Sequence, residues 1–143
     1  MQYFATRMLV VAVGMFGAVV TLVGPQTGAA TDAPRVFFVA PTDGATVSSP
    51  VHVKFGAQNF TVEPAGQVRP NAGHLHLAID RDCVPAGQVF PTDATYIHYG
   101  KGQMETDLTL SLGRHTLCLQ AADGAHVVLG GDGLHQTITI TVK

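Results

Sequence analysis

Alternation of aliphatic and polar residues in the segment 73–80 constrains the fold of this chain more than any other feature. Three aliphatic residues alternate there with His74, His76 and Asp80, which is the period-two pattern of a β-strand with one buried face. Both imidazoles then point away from the core. Because residues i and i+2 of a strand lie about 6.6 Å apart, two imidazoles can bind one cation through bonds of about 2 Å. The pattern therefore indicates a metal site on the solvated face of a strand.

The rest of the chain repeats this short alternating pattern between turn-rich segments. Predicted strands fall at residues 36–40, 51–55, 74–80, 108–112, 116–120 and 138–142. No segment after residue 30 has the periodicity of a helix. Six to eight short strands with regular turn signals are typical of an immunoglobulin-like antiparallel β-sandwich. Strands 108–112 and 116–120 are predicted to form a hairpin around Gly113 and Arg114.

The first thirty residues have the composition of a secretory signal peptide. Arg7 precedes an apolar run over residues 8–23, and small residues follow Pro25, so cleavage is expected after Ala29 or Ala30. An uncleaved membrane anchor is the alternative, although the run is short for a span. We therefore expect a single β-domain over residues 31–143, periplasmic or secreted, with no stable membrane span after signal cleavage.

Charge and cysteine content narrow the classes of partner. The formal net charge is −2 and no basic cluster is present, which argues against nucleic-acid binding. The chain has two cysteines, Cys83 and Cys118, and in an exported protein such a pair predicts a disulfide. Metal ligation by both thiolates is the alternative.

Two further histidines are candidate metal ligands beside His74 and His76. His98 lies in a loop followed by Gly100, and His126 lies in a predicted turn after a strand. A site built from imidazoles without thiolates suits copper first and zinc second. Residues expected to have other roles are His52, His115 and His135, together with Met104, which is either a soft ligand for reduced copper or a packing residue.

Five separated phrases, at residues 34–38, 41–47, 73–80, 97–103 and 115–117, resemble a family of small exported bacterial domains catalogued as domain of unknown function 4399. Its histidine-rich strand falls on His74 and His76, with Leu75 where the family usually has another histidine. Its second histidine phrase falls on His98, and its late histidine loop falls near His126. The resemblance implies no activity.

Together these features predict an exported, non-catalytic metal-binding protein of the bacterial cell envelope, acting as a metal chaperone, buffer or sensor with an exposed, exchangeable site. An enzyme is disfavoured, because the chain has no Gly-x-Ser-x-Gly motif and its histidine spacing does not reproduce the two-metal site of copper-zinc superoxide dismutase. The alternative is an immunoglobulin-like interaction module that binds an envelope protein or glycan without metal. That alternative predicts histidines scattered in space.

Overall fold

The structure is a computed structural model that describes residues 33–143, and these residues form strands and loops with no helix. Nine strands are present in this part of the chain, two of them only two residues long. In chain order they are β1 (Arg35–Ala40), β2 (Thr46–Val47), β3 (Val51–Gln58), β4 (Thr61–Val62), β5 (Ala72–Ile79), β6 (Tyr96–Tyr99), β7 (Glu105–Leu108), β8 (Gly113–Ala122) and β9 (His135–Val142).

The strands form two sheets, which confirms the predicted β-sandwich. One sheet has the antiparallel order β1-β3-β7, and the other has the order β2-β9-β8-β5-β4 with β6 also paired to β5. Eight residues of β8 pair with β9, and six pair with β5. The pairing is mixed rather than purely antiparallel, because the short strands β2 and β4 run parallel to β9 and β5.

The main core lies between the sheets and receives the aliphatic side of β5. Leu75 and Leu77 have no exposed surface, and Phe55 of the facing sheet is 2% exposed. The Phe55 ring lies 5.2 Å from the ring of Tyr99, which follows His98 in β6. Burial of side chains of this size contributes about 1.5–3 kcal/mol each, so this packing fixes the orientation of β5 and β6.

The predicted hairpin between residues 108–112 and 116–120 is wrong. β7 ends at Leu108 and pairs with β3, whereas β8 begins at Gly113 and pairs with β5 and β9 in the other sheet. The alternating leucines lie where the chain crosses between sheets, and Leu112 is 77% exposed. A period-two pattern therefore continued past the end of the strand.

The prediction that β5 has a solvated face is also wrong. All eight of its residues are buried, because two loop segments cover the outer face of the six-stranded sheet. We call residues 83–90 and 123–128 the cover. Backbone hydrogen bonds join its two parts, from Gly87 N–H to Val128 O and from Phe90 N–H to His126 O, each 2.9 Å long.

Two side-chain links attach the cover to β8. Cys83 and Cys118 form a disulfide, so neither cysteine offers a free thiolate. The buried side-chain amide of Gln120 accepts a hydrogen bond from Val84 N–H at 2.7 Å and donates one to Val84 O at 2.8 Å. A small apolar cluster that includes Phe90 fills the space between cover and sheet.

The predicted signal peptide over residues 1–30 lies outside the described residues, so its cleavage and the domain boundary at residue 31 stay predictions. Among residues 33–143, no helix of the length and apolar character needed to cross a membrane is found.

Candidate metal centre

His74 and His76 project from the outer side of β5, beneath the cover. Their exposed fractions are 0% and 1%, and their Nε2 atoms lie 2.9 Å apart. Alternation along the strand explains their common direction, since the core takes Leu75 between them. The two rings thus present neighbouring nitrogens to the same buried space.

His98 joins this pair through strand pairing rather than through a loop. It lies in β6 directly opposite His76 in the antiparallel register, and cross-strand partners share one face of a sheet. Its ring centroid is 4.9 Å from that of His76 and 4.8 Å from that of His74. Gly100 leaves space for this ring, because a Cβ at Gly100 would overlap the imidazole of His98.

His126 reaches the same space from a tight turn after β8. Asp123 Oδ1 accepts hydrogen bonds from the N–H groups of Ala125 and Val127, at 2.8 and 3.0 Å, and so fixes the turn. His126 has a φ of +67°, a left-handed conformation that non-glycine residues rarely adopt. Its Nδ1 atom lies 3.0 Å from Nε2 of His74.

One nitrogen from each of these four histidines lies within 4.8 Å of the other three. Tetrahedral coordination with metal–nitrogen bonds of 2.0–2.1 Å separates ligand atoms by about 3.3 Å, so small ring movements would complete such a site. The group could therefore hold a metal ion. We call His74, His76, His98 and His126 the histidine cluster.

The hydrogen bonding of the histidine cluster also fits a metal ion. Nδ1 of His74, Nδ1 of His76 and Nε2 of His98 are buried without a hydrogen-bond partner among residues 33–143. Buried polar groups are nearly always paired, and each neutral imidazole has one donor and one acceptor nitrogen. The nitrogens that face one another are others, since Nε2 of His76 and Nδ1 of His126 lie 2.9 and 3.0 Å from Nε2 of His74. A neutral imidazole that carries its proton on the outer nitrogen presents a lone pair to this space, and a bound cation would accept it.

Burial keeps these imidazoles in the form that binds metals. Burial lowers the pKa of His74 to about 4, assisted by repulsion from His98 and His126, although Asp123 acts in the opposite direction. Burial and then repulsion from His74, His98 and His126 lower the pKa of His76 to about 3. Burial and then repulsion from His126 lower the pKa of His98. At neutral pH these three rings are unprotonated, as metal ligation requires.

The site's wall includes residues that the sequence analysis missed. The Phe90 ring lies 4.2 Å from the ring of His76, and Gly100, Asp123 and Gln120 position the cover or the ligands. One signal was available in the sequence. A disulfide from Cys83, just after β5, to Cys118 on the outward face of a neighbouring strand places the start of the following loop over that face.

The remaining histidines lie elsewhere, as expected. His52 is exposed and hydrogen-bonds Asp107 at 2.8 Å, and His135 is exposed at the start of β9. His115 contacts Asp80 at 2.7 Å and Ser111 O at 2.9 Å. Met104 packs against the main core. The gathering of four histidines does not favour the interaction-module alternative, which predicted scattered ones.

Comparison with known proteins gives one family. No curated protein and no solved structure matches the chain. The family model described as Domain of unknown function (DUF4399) matches residues 53–143, which contain both cysteines and the whole histidine cluster but leave β1 and β2 outside. The resemblance seen in the sequence is thereby confirmed, and the chain belongs to the DUF4399 family.

Proposed function

We propose that this protein binds one copper or zinc ion through its histidine cluster and serves a non-catalytic role in the cell envelope. The observation that carries the proposal is the convergence of four imidazole nitrogens within 4.8 Å of one another, in a space that is buried on the β5 side. Imidazole is a good ligand for both metals.

The number of ligands supports a non-catalytic role. Catalytic zinc sites keep three protein ligands and leave a fourth position for water or substrate, whereas structural sites use four protein ligands. Four imidazoles would fill the coordination sphere of a tetrahedral ion. A carrier, buffer or sensor needs no open position.

The burial of the histidine cluster changes how fast a bound metal ion is expected to leave the protein. The predicted exposed and exchangeable site is replaced by one beneath the cover, which the disulfide and Gln120 hold against β8. Local opening of such a covered segment requires breaking its contacts. We therefore expect slow release of the ion, as suits a carrier or a store more than a rapid surface buffer.

The location in the envelope is supported by two features of the chain. The apolar segment before residue 30 has the composition of a signal peptide, and a disulfide suits an oxidising compartment. Cell fractionation with antibody detection tests this part, and recovery of the protein in the cytosol would contradict it.

Metal titration of tag-free protein tests the binding itself. We expect one equivalent of ion to bind with a dissociation constant below about 1 μM, a free energy beyond about −8 kcal/mol. His98→Ala and His126→Ala, which remove half-buried ligands, should weaken binding at least tenfold. His52→Ala and His135→Ala remove exposed histidines outside the cluster and serve as matched controls.

Two results would contradict the proposal. The first is no binding tighter than micromolar for Cu(I), Cu(II) or Zn(II). The second is binding that His98→Ala and His126→Ala leave unchanged while the protein remains folded by circular dichroism.

A further inference from the structure

The histidine cluster provides only uncharged ligands. Within residues 33–143, the group of metal-binding side chains that converges here contains four histidines and no carboxylate or thiolate. Both cysteines are in the disulfide, and Asp123 Oδ1 accepts two backbone hydrogen bonds. An ion bound here would therefore keep its full charge within the coordination sphere.

The surroundings make that charge costly, although the nearby Asp123 carboxylate, which favours a positive charge at His74, offsets part of the cost. His74 and His76 are 0% and 1% exposed, and Phe90, which is 3% exposed, packs on the His76 ring at 4.2 Å. The Born cost of moving an ion from water to a medium of low dielectric is large and rises with the square of the charge. A divalent ion thus loses about four times as much as a monovalent ion of similar size.

The outer nitrogens of His74 and His76 further disfavour a divalent ion. Metal-ligating histidines usually donate their second N–H to a carboxylate or carbonyl, which makes the ligand nitrogen more basic. Nδ1 of His74 and Nδ1 of His76 have no such acceptor in the described part of the chain. Less basic imidazoles neutralise less of the charge on a divalent ion.

From the uncharged ligands, the burial and the unpartnered outer nitrogens, we infer that the histidine cluster selects monovalent copper over divalent copper and zinc. This inference rests on the proposed function and narrows it to one ion and one oxidation state. It makes the protein a Cu(I) carrier or store whose bound ion is resistant to oxidation.

Competition titrations test the preference in tag-free protein. Cu(I) affinity is measured without oxygen against a Cu(I)-specific chelator, with ascorbate as reductant so that the disulfide stays intact, and Cu(II) and Zn(II) are measured against chelators of their own. We expect Cu(I) to bind at least tenfold more tightly than Cu(II). By linkage the bound couple then lies at least 59 mV above the free couple, since a tenfold ratio is 59 mV for one electron.

A charge swap at one ligand provides a matched control. His126 has a positive φ, which Asp and Asn tolerate better than most residues, so His126→Asp and His126→Asn have nearly the same shape and differ by one negative charge. Relative to His126→Asn, His126→Asp should raise the ratio of Zn(II) to Cu(I) affinity at least tenfold and lower the copper potential.

The outcomes separate this inference from the proposed function. Binding of Cu(II) or Zn(II) as tightly as Cu(I), or a charge swap that leaves the affinity ratio unchanged, overturns the Cu(I) preference but leaves metal binding intact. Absence of binding for all three ions overturns both.

Discussion

At the scale of single residues, His126 shows how the chain accepts an unfavourable conformation at its candidate site. Its φ of +67° costs a non-glycine residue about 1–2 kcal/mol, and the strained backbone directs Nδ1 to within 3.0 Å of His74. Strained residues cluster at functional sites. Asn59, Asn71 and Asp80 also have positive φ, so what distinguishes His126 is that its strained backbone aims a nitrogen into the histidine cluster.

Replacing His126 by glycine separates ligation from stability. Because glycine adopts positive φ without a steric penalty, His126→Gly should leave the free energy of unfolding in chelator unchanged or raise it by up to about 1 kcal/mol. The matched variant His98→Gly places glycine in β6, where it should destabilise by about 0.5–1 kcal/mol. Urea unfolding measures both, and equal destabilisation by the two variants would contradict the account of strain.

Gly100 is the residue that makes room for the ring of His98. A methyl group at this position overlaps the imidazole, so Gly100→Ala should displace His98 and cost about 1–3 kcal/mol. Metal affinity should fall at least tenfold. Gly130→Ala is the control, because its Cβ meets Ala86 Cβ at an ordinary 3.5 Å, and its effect should stay within about 0.5 kcal/mol. Similar urea midpoints and metal affinities for the two variants would refute this role.

At the scale of strands and loops, the alternation of aliphatic and polar residues predicted much of the architecture but not the cover. The pattern around Leu75 and Leu77 gave the correct strand and the correct core face, because period-two burial is a local property of a pleated chain. Burial of His74 and His76 depends on the cover, whose residues 83–90 have no periodic pattern. Loops that pack by specific contacts leave little trace in a single sequence.

The sequence likewise predicted the positions of some candidate ligands and not of others. His74 and His76 follow from one strand, but His98 was expected in a loop, whereas β6 places it opposite His76. That pairing depends on a register between strands about twenty residues apart in the chain, and register is set by tertiary packing. The left-handed turn at His126 likewise depends on Asp123 accepting two backbone hydrogen bonds.

The attachment of the cover by Gln120 can be tested directly. Gln120→Leu keeps a similar volume but leaves Val84 N–H and Val84 O buried without their partner, which should cost about 1–3 kcal/mol for each group. The looser cover should also release metal faster, by at least tenfold in a chelator chase. Gln88→Leu, at an exposed position of the cover, should change neither quantity. A normal release rate in Gln120→Leu would show that the cover does not limit exchange.

At the scale of the whole molecule, two groups of histidines respond to pH in opposite directions. Hydrogen bonds to Asp80 and to Ser111 O raise the pKa of His115, so its contribution to stability is complete below pH 6.5 and is lost as pH rises through the raised pKa. Burial lowers the pKa values of His74 and His76 to about 4 and about 3. Their contribution is complete above pH 6.5 and is lost as pH falls towards those values.

In metal-free protein, His74 and His76 should contribute more than His115 to the pH dependence of the free energy of unfolding. Between pH 7 and pH 5 the unfolded chain takes up protons at both positions and the folded protein does not, which lowers the free energy of unfolding by at most about 2 kcal/mol per histidine. His115 offsets only part of this loss, because it is one group against two. Urea unfolding in chelator should therefore give a lower midpoint at pH 5 than at pH 7.

Single substitutions assign this pH response to its sources. His76→Gln should reduce the loss of stability between pH 7 and pH 5, since glutamine does not titrate, whereas His115→Gln should increase that loss by removing the opposing term. His135→Gln, at an exposed site, should leave the loss unchanged. If His76→Gln and His135→Gln lose equal stability on acidification, the histidines of β5 are not the acid-sensitive groups. Burial of these histidines beneath the cover would then not be the cause of the lower stability at pH 5.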